Sequence, residues 1–70
     1  MTDPRIRRSR LPELMHAKGL SQADTARLAE VSESLISRVI SLDKNLSIIK
    51  AKRIAKILGC TIDDLWEWEH

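Results

Sequence analysis

The fold is decided by residues 20–40, which read LSQADTARLAEVSESLISRVI. Ser21 stands three residues before Asp24, and a hydroxyl followed at this spacing by a carboxylate caps the first amides of a helix. The pattern predicts a helix that runs to about Ala29, and Ser32 can cap a second helix in the same way. The stretch therefore encodes two short helices in immediate succession.

Only about three residues, 30–32, remain between these helices, so the chain must turn sharply and the helices must cross. On the second of them, Ile36, Val39 and Ile40 recur at helical spacing and form an apolar side. This arrangement is typical of a helix-turn-helix, whose second helix enters the major groove of DNA. The same geometry is also compatible with a plain helical bundle.

The flanking sequence predicts further helices. Pro12 and Gly19 frame a first helix, because proline is favoured in the first turn and glycine after the last. A fourth helix begins after Ser47 and ends at Gly59. Its predicted apolar face consists of Ile48, Ala51, Ile54, Ala55 and Leu58.

A fifth helix of one or two turns is predicted where Thr61 and Asp64 repeat the hydroxyl-to-acid cap, and it would carry Leu65 and Trp66. With 70 residues and neither a repeat nor a linker, the chain is expected to form one all-α domain. A core this small is only marginally stable, which favours a partner subunit.

Composition excludes several classes of protein. The single cysteine, Cys60, forms no internal disulfide, and His16 and His70 do not have the ligand spacing of a zinc site. We expect a cytoplasmic protein without metal, cofactor, membrane span or small-molecule substrate, and no catalytic residues emerge. Residues 1–56 hold twelve bases and six acids, a net +6, whereas residues 57–70 hold four acids and no base. A basic body suits a nucleic-acid partner, although such charge is often only solvated.

Several residues resemble a known family in register and without a gap. They are Leu20-Ser21-Gln22, Ala26, Ala29, Val31-Ser32, Ile36-Ser37-Arg38, Ile54-Ala55-Lys56-Ile57-Leu58-Gly59 and Asp64-Leu65. The chain resembles the lambda-repressor-like domains, the XRE or Cro type of helix-turn-helix, over roughly residues 11–66. The resemblance implies a compact domain of five helices, with the helix-turn-helix at the second and third.

The resemblance also implies sequence-specific binding to double-stranded operator DNA, commonly as a homodimer, and regulation of transcription in the manner of a repressor. Gln22 is similar to the residue of the second helix that contacts a DNA phosphate. Lys44 and Asn45 are similar to a pair of loop residues that lie beside the DNA backbone. The positions that usually face base edges hold Ser32, Glu33, Ser34, Ser37 and Arg38. Helical geometry agrees, since residues 33, 34, 37 and 38 share one broad stripe opposite the apolar side.

Glu33 lies in the first turn of the third helix, and two interpretations are open. A carboxylate there stabilises the exposed helix amides by about 0.3 to 1 kcal/mol. On DNA it can accept a hydrogen bond from cytosine N4 while repelling phosphates. One side chain can do the first in the free protein and the second in the complex.

The sequence departs from the family pattern at several positions. Met15 and Ile40 stand where an arginine and a glutamate often form an ion pair, and we expect these two apolar residues to pack together instead. Glu30 and Leu42 stand where glycine is usual. If the turn still requires a left-handed backbone at Glu30, it carries strain of about 1 kcal/mol.

The chain ends carry complementary patterns, RIRR at residues 5–8 and WEWE at residues 66–69. They could pair as a two-stranded ribbon, with Ile6 beside a tryptophan and arginines beside glutamates. Alternatively they are a frayed basic arm and a frayed acidic tail, or a tryptophan lies in a dimer interface. The arginines could also contact DNA, which competes with their pairing to the tail.

These patterns predict a DNA-binding regulator without enzymatic activity, most simply a homodimer that reads operator DNA with its third helix. The rival prediction is a protein-interaction module, an antirepressor or antitoxin-like partner with the same fold. The low net charge of +2, Glu33 and the acidic tail are compatible with that rival. Binding to DNA would weaken steeply with salt, whereas binding to a protein need not.

Overall fold

The computed structural model describes residues 5–69, which form four α-helices and a two-stranded ribbon. In chain order the elements are β1 (Arg5–Ser9), α1 (Leu11–Lys18), α2 (Gln22–Ala29), α3 (Glu33–Ile40), α4 (Ile48–Leu58), a 3-10 turn (Asp63–Leu65) and β2 (Trp66–Glu69). The predicted bounds of the first four helices are therefore confirmed within a residue or two.

The helices pack around one aliphatic core. Its buried apolar residues are Leu11, Met15, Ala26, Ala29, Ile36, Val39, Ala51, Ile54, Ala55, Leu58 and Leu65. Each helix contributes residues three or four positions apart, and α2 lies against both α3 and α4. Thr25 is also fully buried on α2, and its hydroxyl donates to the carbonyl of Ser21 at 2.9 Å, so its polar atom is satisfied.

All four helices end through a residue in the left-handed backbone conformation. After α1 and α4 it is a glycine, Gly19 (φ 68°) and Gly59 (φ 70°). After α2 and α3 it is Glu30 (φ 58°) and Leu42 (φ 64°), whose Cβ atoms make this conformation unfavourable by roughly 1 kcal/mol each. In every case the following amide donates to a carbonyl five residues earlier, at 2.9 to 3.0 Å. The strain expected at Glu30 is therefore present.

The chain ends form the predicted ribbon. β1 and β2 pair antiparallel, with Ile6 opposite Trp68 and Arg8 opposite Glu67. The Nε atom of Arg8 lies 2.5 Å from a carboxylate oxygen of Glu67, and the indole nitrogen of Trp68 donates to the carbonyl of Asp63 at 2.9 Å. The interpretation of the ends as frayed is wrong for residues 5–9 and 66–69.

The arginines near the N-terminus pair mainly with acidic side chains of the same chain. Arg8 lies 3.1 Å from Glu13, and Arg10 lies 3.8 Å from Asp64 and donates to the Asp64 carbonyl at 3.2 Å. Each exposed pair of this kind is weak by itself, because solvent screens it. Because they share partners, they tie β1 to α1 and to the 3-10 turn. The predicted pairing of this arm with the acidic tail is confirmed.

The predicted fifth helix is wrong. Thr61 and Asp64 do form the capping pair, with the Asp64 amide 3.3 Å from the Thr61 hydroxyl. The helical conformation nevertheless lasts only one 3-10 turn, to Leu65. Trp66 is already extended (φ −129°, ψ 152°) and pairs with Ser9 in the ribbon. Pairing between distant strands and burial of Leu65 outweigh the local helix signal.

The predicted apolar face of α4 is confirmed at Ala51, Ile54, Ala55 and Leu58 but is wrong at Ile48, which is 76% exposed. On a helical wheel Ile48 stands about 70° from the centre of the buried stripe, at its edge. Its neighbour Ile49 is 66% exposed on the far side. The first turn of α4 thus presents two isoleucines to solvent.

The apolar pair proposed between α1 and α3 lies at the core. Met15 is buried and Ile40 is half-buried against the same cluster of side chains. Direct contact between these two side chains stays a prediction. Leu46 also packs against the core, whereas Leu42 is 43% exposed.

Within residues 5–69, no helix is long and apolar enough to cross a membrane. In the same part of the chain, no three His, Cys, Asp or Glu side chains converge as metal ligands. His16 is exposed on α1, and His70 lies outside the described residues.

Replacing Glu30 by glycine is expected to raise the free energy of unfolding by about 0.5 to 1 kcal/mol, because glycine adopts the left-handed backbone without steric conflict. The matched control is Gly19→Ala, which should lower it by about 1 kcal/mol. An added Cβ at Gly19 would meet nothing within 4 Å, so only the backbone preference changes. Urea unfolding measures both values, and a destabilised Glu30→Gly protein would contradict the strain at this turn.

Candidate nucleic-acid interface

The outward side of α3 is lined by polar side chains. Ile36 and Val39 anchor the helix in the core, so the intervening residues point away from it. The exposed residues on this side are Ser32, Glu33, Ser34, Ser37 and Arg38. Leu35 is half-buried at the edge of the same surface. All five residues predicted to face base edges are therefore accessible to a partner.

The turn between α2 and α3 sets the direction of this surface. It consists of the predicted three residues, 30–32. The amide of Val31 donates to the carbonyl of Ala26 at 3.0 Å, and the Val31 side chain is half-buried against the core. Ala26 and Ala29 are the buried apolar residues of α2, and their short side chains allow close packing of the helices that lie against it, α3 among them. The two helices thus meet at a tight corner.

The N-terminus of α2 is closed by the predicted capping box. The Asp24 amide donates to the Ser21 hydroxyl at 3.0 Å, and the Ser21 amide donates to the Asp24 carboxylate at 3.2 Å. The backbone hydrogen bond from Ser21 is the main reason that the pKa of Asp24 lies below its ordinary value. Gln22 stands exposed as the first residue of this fixed helix.

The N-terminus of α3 is built in a similar way. The Ser32 hydroxyl oxygen accepts the Leu35 amide at 3.0 Å, and its proton remains available for donation. Glu33 is exposed in the same turn and forms no ion pair within residues 5–69. Its carboxylate therefore lies at the positive end of the helix dipole, free to contact a ligand.

The loop after α3 carries the remaining predicted residues. The Ser41 hydroxyl lies 3.1 Å from both the Arg38 carbonyl and the Asp43 carboxylate, which closes the helix end. Lys44 and Asn45 follow and are exposed. The structure thus gathers five predicted residues on α3 and its cap, while Gln22 and the loop pair lie on separate elements that are connected to it.

One surface feature was not predicted from the sequence. An open groove of about 470 Å³ is lined by Ile48, Ile49, Lys52, Arg53, Lys56 and Ile62. The signal that could have revealed it is the pair Ile48-Ile49, because two adjacent residues of a helix cannot both face one core.

Cys60 lies half-buried against the core. Burial raises the pKa of its thiol, and the neighbouring Asp64 carboxylate acts in the same direction. The thiol therefore stays protonated at neutral pH, which agrees with an apolar structural role and not with a redox sensor.

The chain is similar to a known protein family and to solved structures. A family model described as helix-turn-helix matches residues 13–65. The chain is also similar to the crystal structure of the restriction-modification controller protein C.AhdI from Aeromonas hydrophila, with 34% sequence identity and a TM-score of 0.73. That alignment covers 80% of this chain and 85% of C.AhdI. Among curated protein sequences there is no significant match.

Proposed function

Since the chain belongs to the XRE-type helix-turn-helix family, we propose that it regulates transcription by reading operator DNA with α3. The observation that carries this proposal is the exposed polar side of α3, where Ser34, Ser37 and Arg38 lie outside the core. In the corresponding docking geometry, α3 enters the major groove while α2 crosses the sugar-phosphate backbone.

Arg38 is the residue best suited to read a base. It is exposed and has no ion-pair partner within residues 5–69. Its guanidinium can donate two parallel hydrogen bonds to O6 and N7 of guanine, which discriminates against other bases by roughly 1 to 3 kcal/mol. Ser34 and Ser37 can donate to or accept from neighbouring base edges, and Leu35 can contact a thymine methyl group.

The other site residues are suited to position the protein on the backbone. Gln22 stands at the start of α2, where helix amides and the helix dipole favour a phosphate. Lys44 and Asn45 can contact phosphates from the loop beyond α3. Contacts of this kind set register and orientation, so base preference depends mainly on α3.

Glu33 has a different role on DNA from that of its neighbours. In the first turn of α3 its carboxylate can accept from cytosine N4, and it repels any phosphate that approaches. Repulsion of wrongly placed DNA raises specificity. In the free protein the same charge stabilises the helix terminus.

We further propose that the functional unit is a homodimer that represses transcription by occupying a two-fold operator. Its recognition helices would then lie about one DNA turn apart, roughly 34 Å. The likeness to a controller protein supports a regulatory role. The competing function, a protein-interaction module, gains some support from the exposed groove on α4. A steep decrease of DNA affinity with salt would favour the regulator.

Replacing Arg38 by alanine is expected to weaken binding to selected operator DNA by about 5- to 150-fold, because a bidentate base contact is lost. Binding to unrelated DNA should change far less. Lys18→Ala is the matched control: it also removes an exposed positive charge, but its side chain reaches towards Gly59 at the end of α4. Fluorescence anisotropy measures the affinities, and equal losses on both DNAs would contradict base reading by Arg38.

Replacing Glu33 by glutamine is expected to keep the fold and general DNA affinity while flattening the preference at one base pair. The side-chain amide of glutamine carries no charge, so it does not repel phosphates. It can both donate and accept hydrogen bonds, whereas the carboxylate only accepts and therefore selects a base that donates. Selection from a randomised operator library, followed by sequencing, measures this preference. An unchanged profile would eliminate the base-reading role and leave only helix stabilisation.

A further inference from the structure

The ribbon of β1 and β2 has an inner face that packs against the domain. Ile6 stands opposite Trp68, and residues that are opposite in a ladder share a face. Ser9, which is buried, stands opposite Trp66, which packs against the core. The indole rings of Trp66 and Trp68, two residues apart on β2, meet edge to face with their centroids 6.2 Å apart. These four residues attach the ribbon to the helices.

A bulge in β1 brings two arginines to one glutamate on the outer face. The register shifts between Ile6 and Arg8, so Arg7 is the extra residue of β1. The Glu67 carboxylate lies 3.6 Å from Nη1 of Arg7 and 2.5 Å from Nε of Arg8. Glu69, the other acid of β2, forms no ion pair in the described part of the chain. Glu67 is therefore the acid that links β2 to β1.

β1 also lies beside α3. The backbones of α2 and β1 both run close to this helix. α3 has only eight residues, and a helix of this length is not stable by itself, so its direction is set by the elements that pack against it. An isolated strand has no stable structure of its own. The support from β1 therefore exists only while β1 is paired with β2.

Both strands lie outside the segment that matches the helix-turn-helix family. The match covers residues 13–65, whereas β1 ends at Ser9 and β2 begins at Trp66. The support that β1 gives to α3 is therefore additional to the elements of the matched segment.

We propose that the ribbon positions α3 for base reading and that Glu67 is the positioning residue that keeps the ribbon closed. When the ribbon opens, the four helices keep their own core, but α3 loses its support from β1. A bidentate hydrogen bond from Arg38 to guanine depends on distance and angle, so a change in the direction of α3 weakens it. This inference rests on the proposed function and adds that base discrimination depends on a contact outside the helix-turn-helix.

The ribbon can open while the helices remain folded. Its ion pairs are exposed to solvent and therefore weak, and a two-stranded ribbon is marginally stable by itself. The core residues Leu11 and Leu65 lie beyond the paired residues, so they stay buried when the strands separate. Chain ends are also the parts of a fold that open at the lowest free energy.

Replacing Glu67 by lysine tests the proposal, because electrostatics alone would predict the opposite result. The change places a third positive charge beside Arg7 and Arg8, which opens the ribbon. It also makes the protein more positive, which strengthens its contacts with phosphates in general. Affinity for selected operator DNA should nevertheless fall by about 5- to 30-fold, the size of one weakened base contact. Affinity for unrelated DNA should stay equal or rise, and fluorescence anisotropy measures both.

Glu69→Lys is the matched control, since it makes the same change of charge on the same strand at an acid without an ion pair in the described residues. Its discrimination ratio, the affinity for operator divided by the affinity for unrelated DNA, should equal that of the wild type. Glu67→Gln is a milder second variant that removes the charge but keeps an acceptor for the arginines. Its ratio should lie between those of the wild type and of Glu67→Lys. All measurements are made below the thermal unfolding range of every variant.

A disulfide across the ribbon separates its closure from its charge. Arg5 and Glu69 stand directly opposite each other, and such Cα atoms in an antiparallel ladder are about 4.5 to 5.5 Å apart, within the span of a disulfide. The changes Arg5→Cys, Glu69→Cys and Cys60→Ala are introduced together, with and without Glu67→Lys. Oxidation should restore the discrimination ratio of the Glu67→Lys protein to that of its counterpart, and a reductant should lower it again.

Backbone amide NMR of the free protein tests the support of α3 without DNA. Reduction of the disulfide in the Glu67→Lys protein should shift the amides of residues 33–40 and speed their hydrogen exchange, whereas reduction of its counterpart should not. A folded Glu67→Lys protein with a wild-type ratio, a ratio that oxidation fails to restore, or unperturbed α3 amides would each overturn the inference. If the wild-type protein prefers no operator but the α3 amides respond, the proposed function is refuted and the support of α3 by β1 stands.

Discussion

The structure depends on the corner between α2 and α3. Glu30 adopts a left-handed backbone there although it carries a Cβ atom, and Val31 closes the turn by a hydrogen bond to Ala26. Burial of Ile36 and Val39 offsets this strain, since each fully buried aliphatic side chain contributes roughly 1.5 to 3 kcal/mol. Because those two residues face the core, the serines and the arginine on the opposite side of α3 face the solvent.

The ribbon determines which basic residues remain available to a partner. Arg8 and Arg10 are engaged with Glu67, Glu13 and Asp64, so most of the charge near the N-terminus serves to hold the chain ends together. Within residues 5–69, Arg38 and the lysines of α4 are among the basic residues that form no ion pair. Arg38 therefore remains available on the surface of α3 that is proposed to meet DNA.

Much of this arrangement could be predicted from the sequence because it is locally encoded. The caps at Ser21, Ser32 and Ser47 and the glycines at the ends of α1 and α4 mark four helices correctly. The ribbon could be predicted because both chain ends carry charged and bulky apolar residues close together, and because the charges are positive at one end and negative at the other.

The predictions from sequence are wrong where contacts between residues distant in the chain determine the conformation or the burial. At Trp66, pairing with β1 ends a helix that the Thr61 cap would otherwise begin. At Ile48, the helical period shows which residues share a side but not how far the neighbouring helices reach along α4. The groove was not predicted for the same reason, since its lining combines residues of the first turn of α4 with Ile62, which lies beyond the end of that helix.

The exposed side of α3 is the surface that we propose meets DNA. Titration of the ¹⁵N-labelled protein with a selected half-site duplex, followed by backbone amide NMR, tests it most directly. The largest shifts are predicted at residues 32–38, with smaller ones at Gln22 and at residues 44–45, and with α4 almost unchanged. Shifts concentrated on α4, with α3 unperturbed, would contradict the account.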